Sequence, residues 1–156
     1  MPADFFIDAQ RGMVFSKAKG VLTWADVVGH MDRLQSHAEF CPEFNQLSDF
    51  REVTAIALSH EDVKELAKRT IFSPRSRRAF VVFGDWQFGI GRIFGTYREM
   101  EGETGIAIFR EMNEALSWLS LAAEPETKLF TRLNSTTAET RCNEPVASVP
   151  SREPGC

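Results

Sequence analysis

The run Arg77–Gly84, RRAFVVFG, constrains this chain more than any other stretch. Its apolar residues follow one another without a break and, after Ala79, are all β-branched or aromatic, the pattern of a strand buried on both faces. Such a strand belongs at the centre of a sheet with other layers above and below it, so the chain has to supply neighbouring strands and covering helices. At 156 residues it is long enough to do so within one domain.

The segments before and after this run supply those elements. ADFFIDA, the turn QRG and MVFSKAKG read as a β-hairpin. Thr23 and Asp26 form a capping pair, and Trp24, Val27, Val28, Met31 and Leu34 recur at helical spacing to about His37. Cys41-Pro42 breaks that helix, and NQLSDFREV is a third strand. Ser59 with Asp62 caps a second helix, EDVKELAKRT, whose Val63, Leu66 and Ala67 point one way, and Pro74 helps to end the segment. After the central strand, Asp85 is the expected cap of a third helix, WQFGIGRIFGTYREM. GIAIFR is a fifth strand and EMNEALSWLS a fourth helix, apolar at Met112, Ala115, Leu116 and Leu119. The order ββαβαβαβα predicts an α/β domain, a hairpin followed by three strand–helix repeats, with a mixed five-stranded sheet covered by four helices.

The composition changes at about Leu121. Residues 122–156 hold four of the seven prolines and many Ser and Thr residues, with little apolar periodicity after Leu133. A segment of that kind buries too little surface to offset its ordering entropy, so 1–121 is the expected folded unit. Residues 122–156 form a flexible Pro/Ser/Thr-rich tail, with a helical turn or two around Glu126–Leu133.

Overall, 43% hydrophobic and 26% charged residues are ordinary for a globular protein, and no apolar run reaches the roughly 18–20 residues of a membrane span. The first residues carry acids where a secretory signal carries basic groups, so a cytoplasmic location is expected. A net charge of −4 argues against nucleic acid as a partner. Cys41, Cys142 and Cys156 are odd in number and lack CxxC spacing, so neither a disulfide framework nor a zinc knuckle is expected. His30, His37 and His60 miss the common metal spacings, so neither a metal nor a cofactor is expected.

With these elements placed, KAKGVLTWADVVGHMDRL, FNQLSDFREVTAIALSHEDVKELA, FSPRSRRAFVVFGDWQFGIGRIF and IAIFREMNEALSWL together resemble the STAS fold of anti-sigma-factor antagonists. In texture they are more similar still to STAS-like bacterial proteins of largely unassigned function. The resemblance spans nearly all of residues 5–121. It implies a regulatory module acting through protein contact, with dimers and binders of small or lipid-like ligands both represented. In the antagonists an Asp-Ser pair after the third strand carries a phosphorylation switch; here the two positions fall on Ala57 and Leu58, and Leu58 accepts no phosphate. Ser59, one residue on, reads as a helix cap in preference to a phospho-acceptor.

Three constellations remain. Lys64, Lys68, Arg69, Arg75, Arg77 and Arg78 form a basic cluster relieved only by Glu65; Lys68, Arg69, Arg75, Arg77 and Arg78 are the candidate site for an anion or an acidic partner. Gly89, Gly91 and Gly95 have GxGxxxG spacing inside a helix, which does not suit a phosphate loop. Gly91 and Gly95 instead make a smooth stripe for another helix or a second subunit. With Phe72, Trp86, Phe88 and Phe94 they form a candidate apolar interface or pocket mouth. Asp49, Glu52 and Asp85 near strand ends form no catalytic signature, and no nucleophile, Walker or metalloprotease motif is present. The sequence therefore points to a non-catalytic regulatory or signalling module acting by protein contact, self-association as a homodimer included. The alternative is a carrier or sensor of a small anionic or amphipathic ligand, which a closed apolar cavity would favour over a flat patch.

Overall fold

A computed structural model describes residues 3–131 and 133. Strands β1 (Ala3–Asp8) and β2 (Met13–Thr23) form the hairpin, and the chain continues through α1 (Trp24–Gln35), β3 (Asn45–Ala57), α2 (His60–Lys68), β4 (Arg78–Val82), α3 (Asp85–Met100), β5 (Ile106–Phe109), α4 (Met112–Trp118) and α5 (Glu126–Leu129). The sheet order is β1-β2-β3-β4-β5, antiparallel only between β1 and β2. All five residues of β4 are buried, as its unbroken apolar run demands.

Each strand-to-strand crossover steps one place in the same direction, so right-handed connections put α1, α2 and α3 on one face and leave the other for α4 and α5. Met13, Phe15, Leu47, Ala79 and Val81 meet Met112, Ala115, Leu116, Leu119, Leu129 and Phe130 on the second face. Leu129 and Phe130 are as buried as the rest of that cluster, so the packed unit runs past the composition change at Leu121, and α5 is the helical turn expected around Glu126–Leu133, packed here into the core. Residues 134–156, where the rest of the expected tail falls, lie outside the described residues. Cys41 is buried and disulfide-bonded, where the odd cysteine count had argued against a disulfide framework.

Local chemistry sets the helix starts. Both expected capping boxes form: Thr23 with Asp26 at α1, and Ser59 with Asp62 at α2. The third does not. Asp85 is the first residue of α3; the cap position is Gly84 at φ +96°, with no side-chain bond, and Asp85 pairs instead with Arg110 at 2.5 Å. β3 also runs four residues beyond the expected NQLSDFREV, to Ala57, because β2 extends beside it to Thr23. The pairing slips at Lys17/Lys19 and again at Gly20/Val21, where Gly20 takes φ +70°.

Candidate functional site

On the helix-covered side of the sheet, strand alternation brings forward Ser16 of β2, Gln46 and Ser48 of β3 and Arg78 of β4, all buried. Register puts Gln46 beside Arg78, and one row further along Ser16, Ser48 and Phe80 lie side by side. The next residues on this face, Phe50 and Val82, are again neighbours and apolar. The face thus grades from polar at the strand starts to apolar at the strand ends.

Over this graded surface α1, α2 and α3 leave a cavity of about 150 Å³. Val27, Met31, Val63, Leu66, Ile90 and Phe94 are among its helix-side walls. Phe80 stands at the centre, stacked on Phe50 at 5.7 Å and edge-on to Phe94 at 6.2 Å. The volume matches an apolar void known to hold one benzene-sized guest.

A hydrogen-bonded chain closes the polar end. The His30 Nε2 lies 3.1 Å from the Ser16 Oγ, which accepts from the Gln46 amide at 3.2 Å; Gln46 Oε1 accepts from Arg78 Nε at 3.0 Å. Arg78 also reaches Glu103 at 3.4 Å, and the other oxygen of Glu103 is bound by Arg98. Arg98 in turn donates to the carbonyls of Ala67 and Arg69 and to Thr70 Oγ1, tying α3 to the last turn of α2. Burial pushes the Arg78 guanidinium down to about 10, partly countered by Glu103, so it stays charged at neutral pH. Burial, then the charges of Arg33 and Arg78, hold the His30 imidazole down to about 4, so it is neutral there.

The sequence-selected basic residues do not gather into one site. Lys68 is exposed and paired with Glu65 at 2.7 Å, and Arg75 is exposed in the loop before β4. Arg77 turns to the opposite face and stacks over Trp118 at 4.2 Å. Adjacent residues on an extended chain point to opposite faces, which separates Arg77 from Arg78. Arg69 is exposed at the cavity's edge, over Trp24 and 4.0 Å from Asp32. Arg78 alone is buried at the cavity floor.

The apolar candidates divide similarly. Phe72 is core, packed with Leu34 and Val14 and lying under Arg78. Phe88 carries Arg110 over its ring at 4.5 Å. Gly91 and Gly95 pack α3 on β5, with Ile108 only 3.1 Å from where a Gly91 Cβ would stand and Ile106 3.7 Å from that of Gly95. This strand contact takes the place of the expected helix or second subunit. Phe94 lines the cavity, while Trp86 is 56% and its neighbour Phe83 73% exposed.

The carboxylates do not converge. Asp49 faces α5 and is bound by Arg51, which also holds Glu126; Glu52 pairs with Lys17, and Asp85 with Arg110. Ser59 Oγ accepts from the Asp62 N–H at 3.1 Å, which is the capping geometry, and Leu58 lines the cavity. Gln46, Ser48, Ser16, His30 and Glu103 were not selected from sequence. The available signal was the pair Gln46 and Ser48, polar at alternate positions of an otherwise core-forming strand.

No family model and no curated protein matches the chain. Among solved structures, an uncharacterised protein of the DUF3478 family from Shewanella loihica PV-4, described as having a SpoIIAA-like fold, superposes with a TM-score of 0.51. The two are 22% identical, and the match covers 75% of this chain and 93% of that one. The fold is SpoIIAA-like. The STAS-like architecture expected from the sequence, with its mixed five-stranded sheet, is therefore the one adopted. No helix among the described residues is long and apolar enough to cross a membrane.

Proposed function

We propose that this SpoIIAA-like domain is a non-catalytic binding module that takes a small ligand with an apolar body into the cavity between its sheet and α1–α3. The observation that carries this reading is the cavity itself: about 150 Å³, apolar over most of its wall and polar at one end. Burying an apolar guest there gains roughly 25 cal/mol per Å² removed from water, without the cost of opening a new void. Ser16 and the neutral His30 are within hydrogen-bond distance, but among the described residues no third side chain hydrogen-bonds the imidazole to orient it as a base.

Toluene titrated into full-length protein and followed by NMR is the test. Shifts confined to residues around Phe80, Phe94 and Val63, lost when Val27→Phe fills the space, are expected. An unchanged spectrum at saturating toluene overturns the reading.

Regulatory contact with a protein is a second reading, favoured by the exposure of Phe83 and Trp86 at the end of β4 and the start of α3. Because Ile90 and Phe94 of the same helix line the cavity, occupancy would be felt at that surface. If the surface joins two copies, sedimentation will show a dimer that Phe83→Ser with Trp86→Ser dissociates. A monomer at all concentrations rejects self-association.

A further inference from the structure

We propose that the cavity selects a monocarboxylate, an aromatic or short-chain acid whose carboxylate is bound by Arg78 and whose apolar body lies toward Phe80 and Phe94. This rests on the cavity reading above and adds the charge and shape of the guest.

Charge is the first argument. At the polar end two buried guanidiniums, Arg78 and Arg98, share one carboxylate, Glu103. Arg98 has first claim on it: the Arg98–Glu103 contact is the closer, while Arg78 stands 3.4 Å away. Arg98 also has the α2 carbonyls and Thr70. Arg78 has the Gln46 oxygen, one distant carboxylate oxygen and the rings of Phe72 and Phe80, and its Nη2 makes no hydrogen bond among the described residues. His30 beside it is neutral and adds no charge. A buried cation so poorly balanced favours an entering anion.

Shape is the second. One guanidinium fork matches one planar carboxylate, and the local excess is a single positive charge. A phosphate dianion would reverse that excess. Ser48 lies one row along the sheet from Arg78, buried, lining the cavity and with no side-chain hydrogen bond among the described residues, where its hydroxyl can donate to the same carboxylate. Beyond it the wall turns apolar, and about 150 Å³ leaves room for roughly one ring or a short chain but not a long acyl tail.

The experiment compares benzoate, benzamide and toluene on full-length protein by calorimetry and NMR. Benzoate should bind about ten- to hundredfold more tightly than benzamide, the ratio expected of charge-assisted bonds in a desolvated site. Arg78→Met should remove that preference while toluene still binds, and Arg69→Gln, at the exposed edge, should leave it intact. Equal binding of benzoate and benzamide overturns carboxylate selection and leaves the cavity reading standing. A preference that survives Arg78→Met also overturns it, by placing the anion elsewhere. Failure of all three probes overturns both. Should Arg78→Met not fold, the benzoate-to-benzamide ratio on the unaltered protein decides alone.

Discussion

The two faces of one sheet are built from alternate residues of the same strands and reach opposite results. Toward α4 and α5, Phe15, Leu47, Ala79 and Val81 meet helix side chains in a closed core. Toward α1, α2 and α3, their neighbours Ser16, Gln46, Ser48, Phe80 and Arg78 meet a cavity. Strand propensity is shared, so the difference lies in what the helices bring and in the polar residues admitted at four strand positions. One face secures the fold, and the other is left with volume and charge to spend on a guest.

The largest expected effect comes from breaking the closed face where the sequence least suggested it. Phe130 stacks edge-on against Phe15 at 5.7 Å and is 4% exposed, so Phe130→Ala should cost about 3–5 kcal/mol in urea unfolding. A loss below 1 kcal/mol would place α5 outside the core. Removal of residues 122–156 would strip the same contacts, so binding studies belong on the full chain.

Acid attacks the hollow face. His30 holds a folded value of about 4 against an ordinary 6.5, so the neutral ring is the form the fold favours. The stability it contributes is complete above about 6.5 and is lost as the pH falls from there to about 4, because the unfolded chain takes up the proton first. The full loss is about 3 kcal/mol as an upper figure, and His30→Asn should flatten that part of the stability–pH curve. An unaltered acid limb in His30→Asn would show that the imidazole is hydrated.

How far was this legible? The hairpin, three βα repeats and both capping boxes follow from local spacing, which the sequence displays directly. β3's last four residues, VTAIALS being ambiguous between strand and turn, depended on β2 extending beside them. α5 reads as no more than a helical turn within a tail because the prolines, serines and threonines of 122–156 outweigh Leu129 and Phe130 in a composition count, although these two side chains decide its packing. The site failed for a different reason. A run of positive charges is visible along the chain, but alternation sends Arg77 and Arg78 to opposite faces, and only tertiary pairing joins Gln46 to Arg78 and Arg78 to Glu103, 25 residues on. Polar residues at alternate strand positions were the better signal.

Matched overpacking separates the faces next. Ala79→Leu, into the closed core, should cost about 1–3 kcal/mol, since no room exists for added carbon. Ser48→Val, toward the cavity, should change stability by no more than about 0.5 kcal/mol, because its hydroxyl has no partner to lose and the extra methyl enters open space. Equal costs in thermal unfolding would mean that the helices collapse onto the sheet in solution.

The smallest effect concerns how the helices of each face are held. α4 has no side-chain cap at Glu111 and relies on Met112, Ala115 and Leu116 in the closed core. α2 lies over the cavity with less beneath it, and its start is fixed by Ser59 and Asp62 in reciprocal bonds of 3.1 and 2.8 Å. Ser59→Ala should therefore cost about 1 kcal/mol. Glu111→Ala, with no cap bond to lose, should fall within about 0.5 kcal/mol. Ser59→Asp should retain most of the stability, as a carboxylate caps as well as a hydroxyl and favours the positive end of the helix. Hydrogen exchange at the first turn of α2 reads the result locally: faster exchange in Ser59→Ala but not in Ser59→Asp identifies the cap as what holds that wall of the cavity, and unchanged exchange in both would assign the task to Val63 and Leu66 beneath it.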